Sequence, residues 1–329
     1  MKTVRLGKTG LKVSEICLGT MTFGREADEE TSFAVMDRYR ELGGFFLDTA
    51  NGYSGGATEE VVGRWIRDRG VRSSIILATK VFAQMGPGPN DGGLSRYHII
   101  SEVDNSLRRL QTDVIDLYQI HRWHPEAPLE ETARALDDLI RAGKVRYVGC
   151  SNLRAYQLLS YLHLADTNLL ARFVSLQPAY NALNRSIELE LLPLVEREGL
   201  GVIPYNPLAG GMLTGKYRRG QELPAGSRMD AHEFYFKRYY TEQSLDVIER
   251  FVAHAAELGL TPAQLAVAWV LGDSRITAPI VGARSVDQLS DSLGALDRTL
   301  TPDERAAVPA VPSGRWVGED PVYDRTPYR

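Results

Sequence analysis

Eight short apolar runs, each followed by a longer amphipathic stretch, constrain this chain more than any other feature. The runs fall at residues 16–19, 45–47, 75–79, 114–120, 145–149, 173–176, 201–204 and 278–281. Short apolar runs bounded by turn residues read as strands buried on both faces. Between them, residues 28–42, 58–69, 95–110, 128–142, 153–164, 186–198 and a longer region at 241–271 read as helical, and 285–296 follows the last run. In the fourth of these, Ala133, Leu136, Leu139 and Ile140 make an apolar stripe at helical spacing. Arg134, Asp137, Asp138 and Arg141 occupy much of its other face, and Gly143 stops it. Thr261 and Pro262 supply an N-cap followed by proline at the first helical position. Ahead of the series, residues 3–6 and 11–14 flank the turn Gly7-Lys8-Thr9-Gly10 and read as a hairpin.

Eight strand-then-helix units point to an α/β fold, a (β/α)8 barrel with an N-terminal β-hairpin. A doubly wound sheet is the alternative. It usually carries G-x-G-x-x-G after its first strand, where this chain has Gly19-Thr20-Met21-Thr22-Phe23-Gly24. No low-complexity linker interrupts the pattern, so residues 1–329 are expected to form one domain. The least regular part, 212–240, is a long loop after the seventh strand, expected to cover the site.

Bulk properties exclude several classes. The formal charge of -4 gives no electrostatic reason to expect nucleic acid or an anionic membrane. No stretch approaches the roughly 20 apolar residues of a membrane helix. The first residues lack the apolar region of a signal peptide. Cys17 and Cys150 are too few for a disulfide framework or a cysteine zinc site, and read as buried free thiols. A cytoplasmic protein is expected.

Four polar residues stand at or just beyond the ends of three successive runs: Asp48, Tyr53, Lys80 and His121. In a barrel of parallel strands all four rise at one rim. Each has a plainer reading: a turn cap for Asp48, surface packing for Tyr53, a solvated strand end for Lys80, a satisfied core histidine for His121. Together they suit carbonyl reduction. Tyr53 can supply a proton, but a free phenol, with a pKa of about 10, is a weak acid. Lys80 beside it would stabilise the phenolate and lower that pKa. Asp48 would hold Lys80 in place and charged. His121 would donate a hydrogen bond to the carbonyl oxygen or share its proton. Side chains cannot donate hydride, so a cofactor such as NAD(P)H must. His98 and His124 make no convincing metal set with His121, and no metal is expected.

The sequence here resembles the aldo-keto reductase family. The likeness is carried by Leu47-Asp48-Thr49-Ala50 with Tyr53, Ala78-Thr79-Lys80, and Asp116-Leu117-Tyr118-Gln119-Ile120-His121. It continues through Gly143-Lys144-Val145-Arg146-Tyr147-Val148-Gly149, Ser151-Asn152, Pro204-Tyr205-Asn206-Pro207-Leu208 and Val281-Gly282-Ala283-Arg284-Ser285. The resemblance implies a (β/α)8 barrel that binds NADP, or sometimes NAD, and reversibly reduces aldehydes or ketones. It implies Tyr53 as general acid, supported by Asp48, Lys80 and His121. Ser151, Asn152 and Gln177 would hold the nicotinamide carboxamide, Tyr205 would stack on the ring, and Gly19, Thr20 and Met21 would lie along the same site. It also takes in potassium-channel beta subunits, so a cofactor-binding regulatory subunit with little turnover is the alternative. The partner expected is a small-molecule carbonyl compound, and an oligomer is compatible with the chain.

Further residues follow from the same comparison. Gly210-Gly211-Met212-Leu213-Thr214-Gly215-Lys216-Tyr217 fits G-x-x-x-x-G-K but ends in Tyr217, where a P-loop needs the hydroxyl of Ser or Thr for magnesium, so NTP hydrolysis is rejected. Its backbone amides and Lys216 still suit a pyrophosphate, with Arg228, Leu208 and Asn206 nearby. Arg284 would pair with a 2′-phosphate and stack on adenine, which favours NADP over NAD. Gln288 matches the family pattern, whereas Asp291-Ser292 replaces the commoner Glu-Asn. For substrate, Met21, Phe23, Phe82 and Trp123 are candidates for an apolar mouth. Phe234, Tyr235, Phe236, Tyr239 and Tyr240 are candidates for its wall, with core packing or subunit contact as the competing reading.

Overall fold

The computed structural model describes residues 1–312; residues 313–329 of the expected single-domain span lie outside the described residues. A two-stranded hairpin, β1 (Thr3–Arg5) and β2 (Lys12–Ser14), leads into β3 (Cys17–Gly19), β4 (Phe46–Asp48), β5 (Ile76–Val81), β6 (Ile115–Ile120), β7 (Val145–Ser151), β8 (Phe173–Gln177), β9 (Gly201–Val202) and β10 (Ile280–Gly282). Strands β3 to β10 form one parallel sheet in the order β10-β3-β4-β5-β6-β7-β8-β9. Its two ends meet. Thr277 N–H donates to the Val202 carbonyl at 2.8 Å, Ile280 N–H to that of Pro204 at 2.8 Å, and Tyr205 bridges Ile280 in parallel. The sheet is therefore a (β/α)8 barrel behind an antiparallel hairpin.

Around it run α1 (Glu29–Glu41), α2 (Ala57–Arg69), α3 (Arg96–Leu110), α4 (Leu129–Arg141), α5 (Ala155–Asn168), α6 (Leu191–Glu198), α7 (Arg228–Ala231), α8 (Glu233–Tyr239), α9 (Glu242–Glu257), α10 (Pro262–Leu271), α11 (Val286–Leu293) and α12 (Pro302–Ala307). The main core lies between strands and helices and includes Tyr39, Trp65, Leu136 and Trp269. A smaller one fills the barrel: Cys17, Phe46, Ala78, Leu117, Ile203, Ala278 and Ile280, joined by Leu6 and Val13 of the hairpin region. The hairpin thus plugs the barrel end opposite the strand C-termini. Gly7, at φ +56, makes this approach possible, since a Cβ there would stand 2.6 Å from the Gly199 carbonyl oxygen.

Local chemistry explains the helix ends. Asp28 caps α1 by accepting from Thr31 N–H at 2.9 Å, and Ser95 caps α3 by accepting from His98 N–H. The expected 241–271 helix is two helices. Gly259 at φ +68 ends the first region, and Thr261 with Gln264 makes a capping box for the second. The 186–198 stretch also divides, into a short 3-10 turn at Ser186–Glu188 and α6, where Pro193 has its missing N–H within the first turn. Asp137 is buried, contrary to its expected place on the polar face of α4. It accepts from Ala171 N–H at 3.0 Å, tying the helix to the strand that follows α5. Cys17 and Cys150 are buried and free. No helix among the described residues is long and apolar enough to cross a membrane.

Candidate active site

The C-terminal ends of the strands bring the four polar residues together. Asp48 ends β4, Lys80 lies within β5, His121 follows β6, and Tyr53 begins a 3-10 turn (Tyr53–Gly56) after β4. Lys80 is wholly buried and its Nζ donates to Asp48 Oδ2 at 2.6 Å, to the Thr49 carbonyl at 2.8 Å and to Tyr53 Oη at 3.2 Å. The second Asp48 oxygen accepts from Gln177 Nε2 at 2.9 Å and Gln119 Nε2 at 3.2 Å. A buried carboxylate with three donors and a buried ammonium with three acceptors satisfy one another. The His121 ring meets that of Tyr53 edge-on, with centroids 5.9 Å apart.

Withdrawal from bulk water works against charge on Lys80, but Asp48 and then Tyr53 outweigh it and hold the ammonium above its usual range. For Tyr53 the expected lowering by Lys80 is present but outweighed. Withdrawal of the hydroxyl from water, with help from Asp48, raises the phenol. Tyr53 is therefore firmly protonated at neutral pH. His121 is pushed down to about 3 by desolvation and by the Lys80 and Arg122 charges, so it is a neutral imidazole.

These groups open into a cavity of about 510 Å³ that runs from Tyr53 and His121 to α10 and α11. Gly19, Thr20, Met21, Asp48, Ser151, Asn152, Gln177, Tyr205, Asn206, Leu208, Gly210, Lys216, Arg228, Gly282, Arg284 and Gln288 all line it. The 212–240 loop contributes Thr214, Phe234, Tyr235 and Arg238 to the same wall. Near the tetrad the lining is amide and aromatic. Ser151 Oγ donates to the Gln177 carbonyl at 2.7 Å, Asn152 Nδ2 to the His121 carbonyl at 3.0 Å, and Tyr205 Oη to Asn152 Oδ1 at 2.9 Å. Farther along it is cationic. Lys216, Arg228, Arg238 and Arg284 line it there, a concentration of positive charge that suits a polyanion. Arg284 NH1 donates to the Gly226 carbonyl at 3.1 Å, and Arg228 pairs with Glu26 at 3.3 Å. The amide, aromatic and cationic lining fits a nicotinamide dinucleotide.

Several expected contacts differ. Phe23 is fully buried in the core beneath α2, where its carbonyl accepts the Thr58 hydroxyl, and it does not line the cavity. Phe82 packs against the core under the Arg122 guanidinium, 4.2 Å from its ring, and Trp123 packs against the core as well; neither lines the cavity. The aromatic cluster divides. Phe234 and Tyr235 face the cavity, Phe236 stacks on Tyr240, and Tyr239 is buried. Asn206 lines the cavity, but its amide is committed to Tyr239 Oη and Gly210 N–H. Gln119, which the sequence marks only as part of the β6 motif, supports Asp48. Strand alternation carries the signal, since Gln119 shares its face with the barrel-filling Leu117. Arg238 had no such signal. Among the described residues, no group of three His, Cys, Asp or Glu could hold a metal.

Comparison with known proteins decides the family. The model of the "Aldo/keto reductase family" matches residues 15–311. The chain belongs to the aldo/keto reductase family. It is 39% identical over 310 residues to "Uncharacterized oxidoreductase YrpG" of Bacillus subtilis, covering 91% of this chain and 92% of that protein. It is 36% identical over 318 residues to "Probable voltage-gated potassium channel subunit beta" of Oryza sativa, covering 94% and 96%. It is also 36% identical over 342 residues to "Protein tas" of Escherichia coli, covering 94% and 97%. This aldo/keto reductase thus aligns almost end to end with relatives named as an oxidoreductase and as a channel subunit.

Proposed function

We propose that the protein is an NAD(P)H-dependent reductase of aldehydes or ketones, with Tyr53 as the general acid. The observation that carries this reading is the Lys80 ammonium, lodged between the Asp48 carboxylate and the Tyr53 hydroxyl beside a cavity of about 510 Å³. When bound, the reduced nicotinamide supplies hydride to the carbonyl carbon. Ser151, Asn152 and Gln177 would hold its carboxamide, and Tyr205 would pack on its ring. Tyr53 passes the proton of Oη to the carbonyl oxygen. A developing alkoxide is far more basic than a phenolate, so a raised phenol still donates downhill. Lys80 stabilises the phenolate left behind, and Asp48 keeps Lys80 charged and aimed. Neutral His121 donates a hydrogen bond to the same oxygen without competing for the proton. Reversal of these steps, with tyrosinate as base, oxidises an alcohol.

Arg284, beside Gln288, supports NADP over NAD, because a guanidinium recognises the 2′-phosphate that only NADP carries. A second reading rests on the rice relative: a cofactor-binding regulatory subunit with little turnover. The test is NADPH absorbance followed across sugars, aromatic aldehydes, quinones and keto-steroids. Turnover of any class supports the reductase. Tight cofactor binding without turnover, together with a stable partner in pull-downs, supports the regulatory subunit.

A further inference from the structure

We propose that Glu59, working with Thr79 and Arg109, is a positioning residue that seats the Tyr53 hydroxyl on Lys80; this rests on the reading of Tyr53 as proton donor. The turn that carries Tyr53 has little regular structure of its own. Ser54, Gly55 and Gly56 follow one another at φ 51, 64 and 101, all left-handed. Such a run needs outside support to hold a side chain in one place.

Support comes from the back of β5. Thr79 and Lys80 are neighbours on that strand and therefore point to opposite faces. Inside the barrel Lys80 meets Tyr53. Outside it, the Thr79 hydroxyl donates to Glu59 Oε1 at 2.5 Å, in the first turn of α2. The other Glu59 oxygen accepts from Arg109 Nε at 2.8 Å, and Arg109 also pairs with Glu102 of α3. The Arg109 methylene lies against Gly56, where a Cβ would stand 3.0 Å from Cδ. Glu59 is wholly buried, and withdrawal from water raises its carboxyl above the usual range against the opposing pull of Arg109 and the two hydroxyls around it. The Thr79-Lys80 pair thus grips the Tyr53 turn from both sides of the strand, directly through Lys80 and indirectly through Glu59. No step of the proposed reaction uses this buried carboxylate. Its place accounts for how a left-handed turn presents a hydroxyl at hydrogen-bond distance.

Thr79→Val keeps the strand-favouring shape and removes the donor to Glu59, whereas Thr79→Ser keeps it. Glu59→Gln keeps an acceptor but unbalances Arg109. The expected result is a kcat about 10- to 100-fold lower in T79V and E59Q, with NADPH affinity within about twofold of wild type and most turnover restored in T79S. A second readout needs no turnover. In protein with isotope-labelled tyrosine, the Tyr53 Cζ resonance, assigned through Tyr53→Phe, should move in T79V and return in T79S. A wild-type kcat and an unmoved resonance in T79V would overturn the proposal. So would equal losses of kcat and NADPH affinity, which would mark a general loosening of the barrel. If the wild-type chain reduces no carbonyl yet the resonance moves, the reductase reading fails and the positioning role stands.

Discussion

Lys80 and Asp48 form a 2.6 Å ion pair in which both side chains are buried. Such a pair is costly to assemble and costlier to break, because removing one partner strands a charge away from water. Here the free valences of the pair are also used. Lys80 reaches Tyr53 and the Thr49 carbonyl, and Asp48 takes two glutamine amides. Lys80→Met should therefore cost about 3–5 kcal/mol of stability in urea unfolding and lower kcat by roughly 10²–10⁴-fold. Near-normal turnover in a folded K80M protein would remove the cation from the proposed mechanism.

His121 sets an acid limit on stability. In the unfolded chain an ordinary histidine takes a proton below about 6.5, whereas in the folded site His121 stays neutral down to about 3. The unfolded state thus binds more protons in that window, and stability falls as pH drops through it by about 1.4 kcal/mol per pH unit from this group. His121→Asn should flatten the slope by about that amount between these two values. Denaturant midpoints measured across the window check it, and an unchanged slope would mean that His121 is not held neutral.

Tyr53 sets the alkaline side. Its hydroxyl is raised above the ordinary phenol value of about 10 by withdrawal from water, against the opposing pull of Lys80. The acid form persists below that raised value, so the reductive kcat should stay level through neutral pH and fall only in strongly alkaline buffer. A pH–rate profile at saturating nucleotide tests this. A fall beginning near neutrality would place another group in control.

In the proposed function Arg284 sets the nucleotide preference. Its guanidinium lines the cavity and is held by the Gly226 carbonyl, while Gln288 fixes its backbone. Charged hydrogen bonds are worth about 1.5–3 kcal/mol, so Arg284→Ala should weaken NADPH about 10- to 100-fold and NADH by less than about twofold. Fluorescence titration with both nucleotides reads the difference, and equal losses would refute the assignment.

The strands were legible because each is short, apolar and closed by turn residues, and the tetrad was legible because its members stand at the ends of three of them. Boundaries drifted where proline intervened. Pro204 and Pro279 lack an N–H, so β9 ends at Val202 and β10 starts at Ile280, inside the expected runs. Helix α12 was missed, although Thr301, Pro302 and Glu304 spell a capping box. Phe23 was misplaced because an aromatic after a strand suits a mouth or a core equally, and only the packing of α2 over it settles the matter. Arg238 was illegible for the opposite reason. A cation on a short helix reads as solvated, and its burial depends on how the 212–240 loop folds back over the barrel.

The most direct test is Tyr53→Phe, assayed side by side for NADPH affinity and for carbonyl reduction. Removing one hydroxyl should leave folding and nucleotide binding at wild-type levels while kcat falls by about 10²–10⁴-fold. Wild-type turnover in that variant would contradict the assignment of Tyr53 as the proton donor.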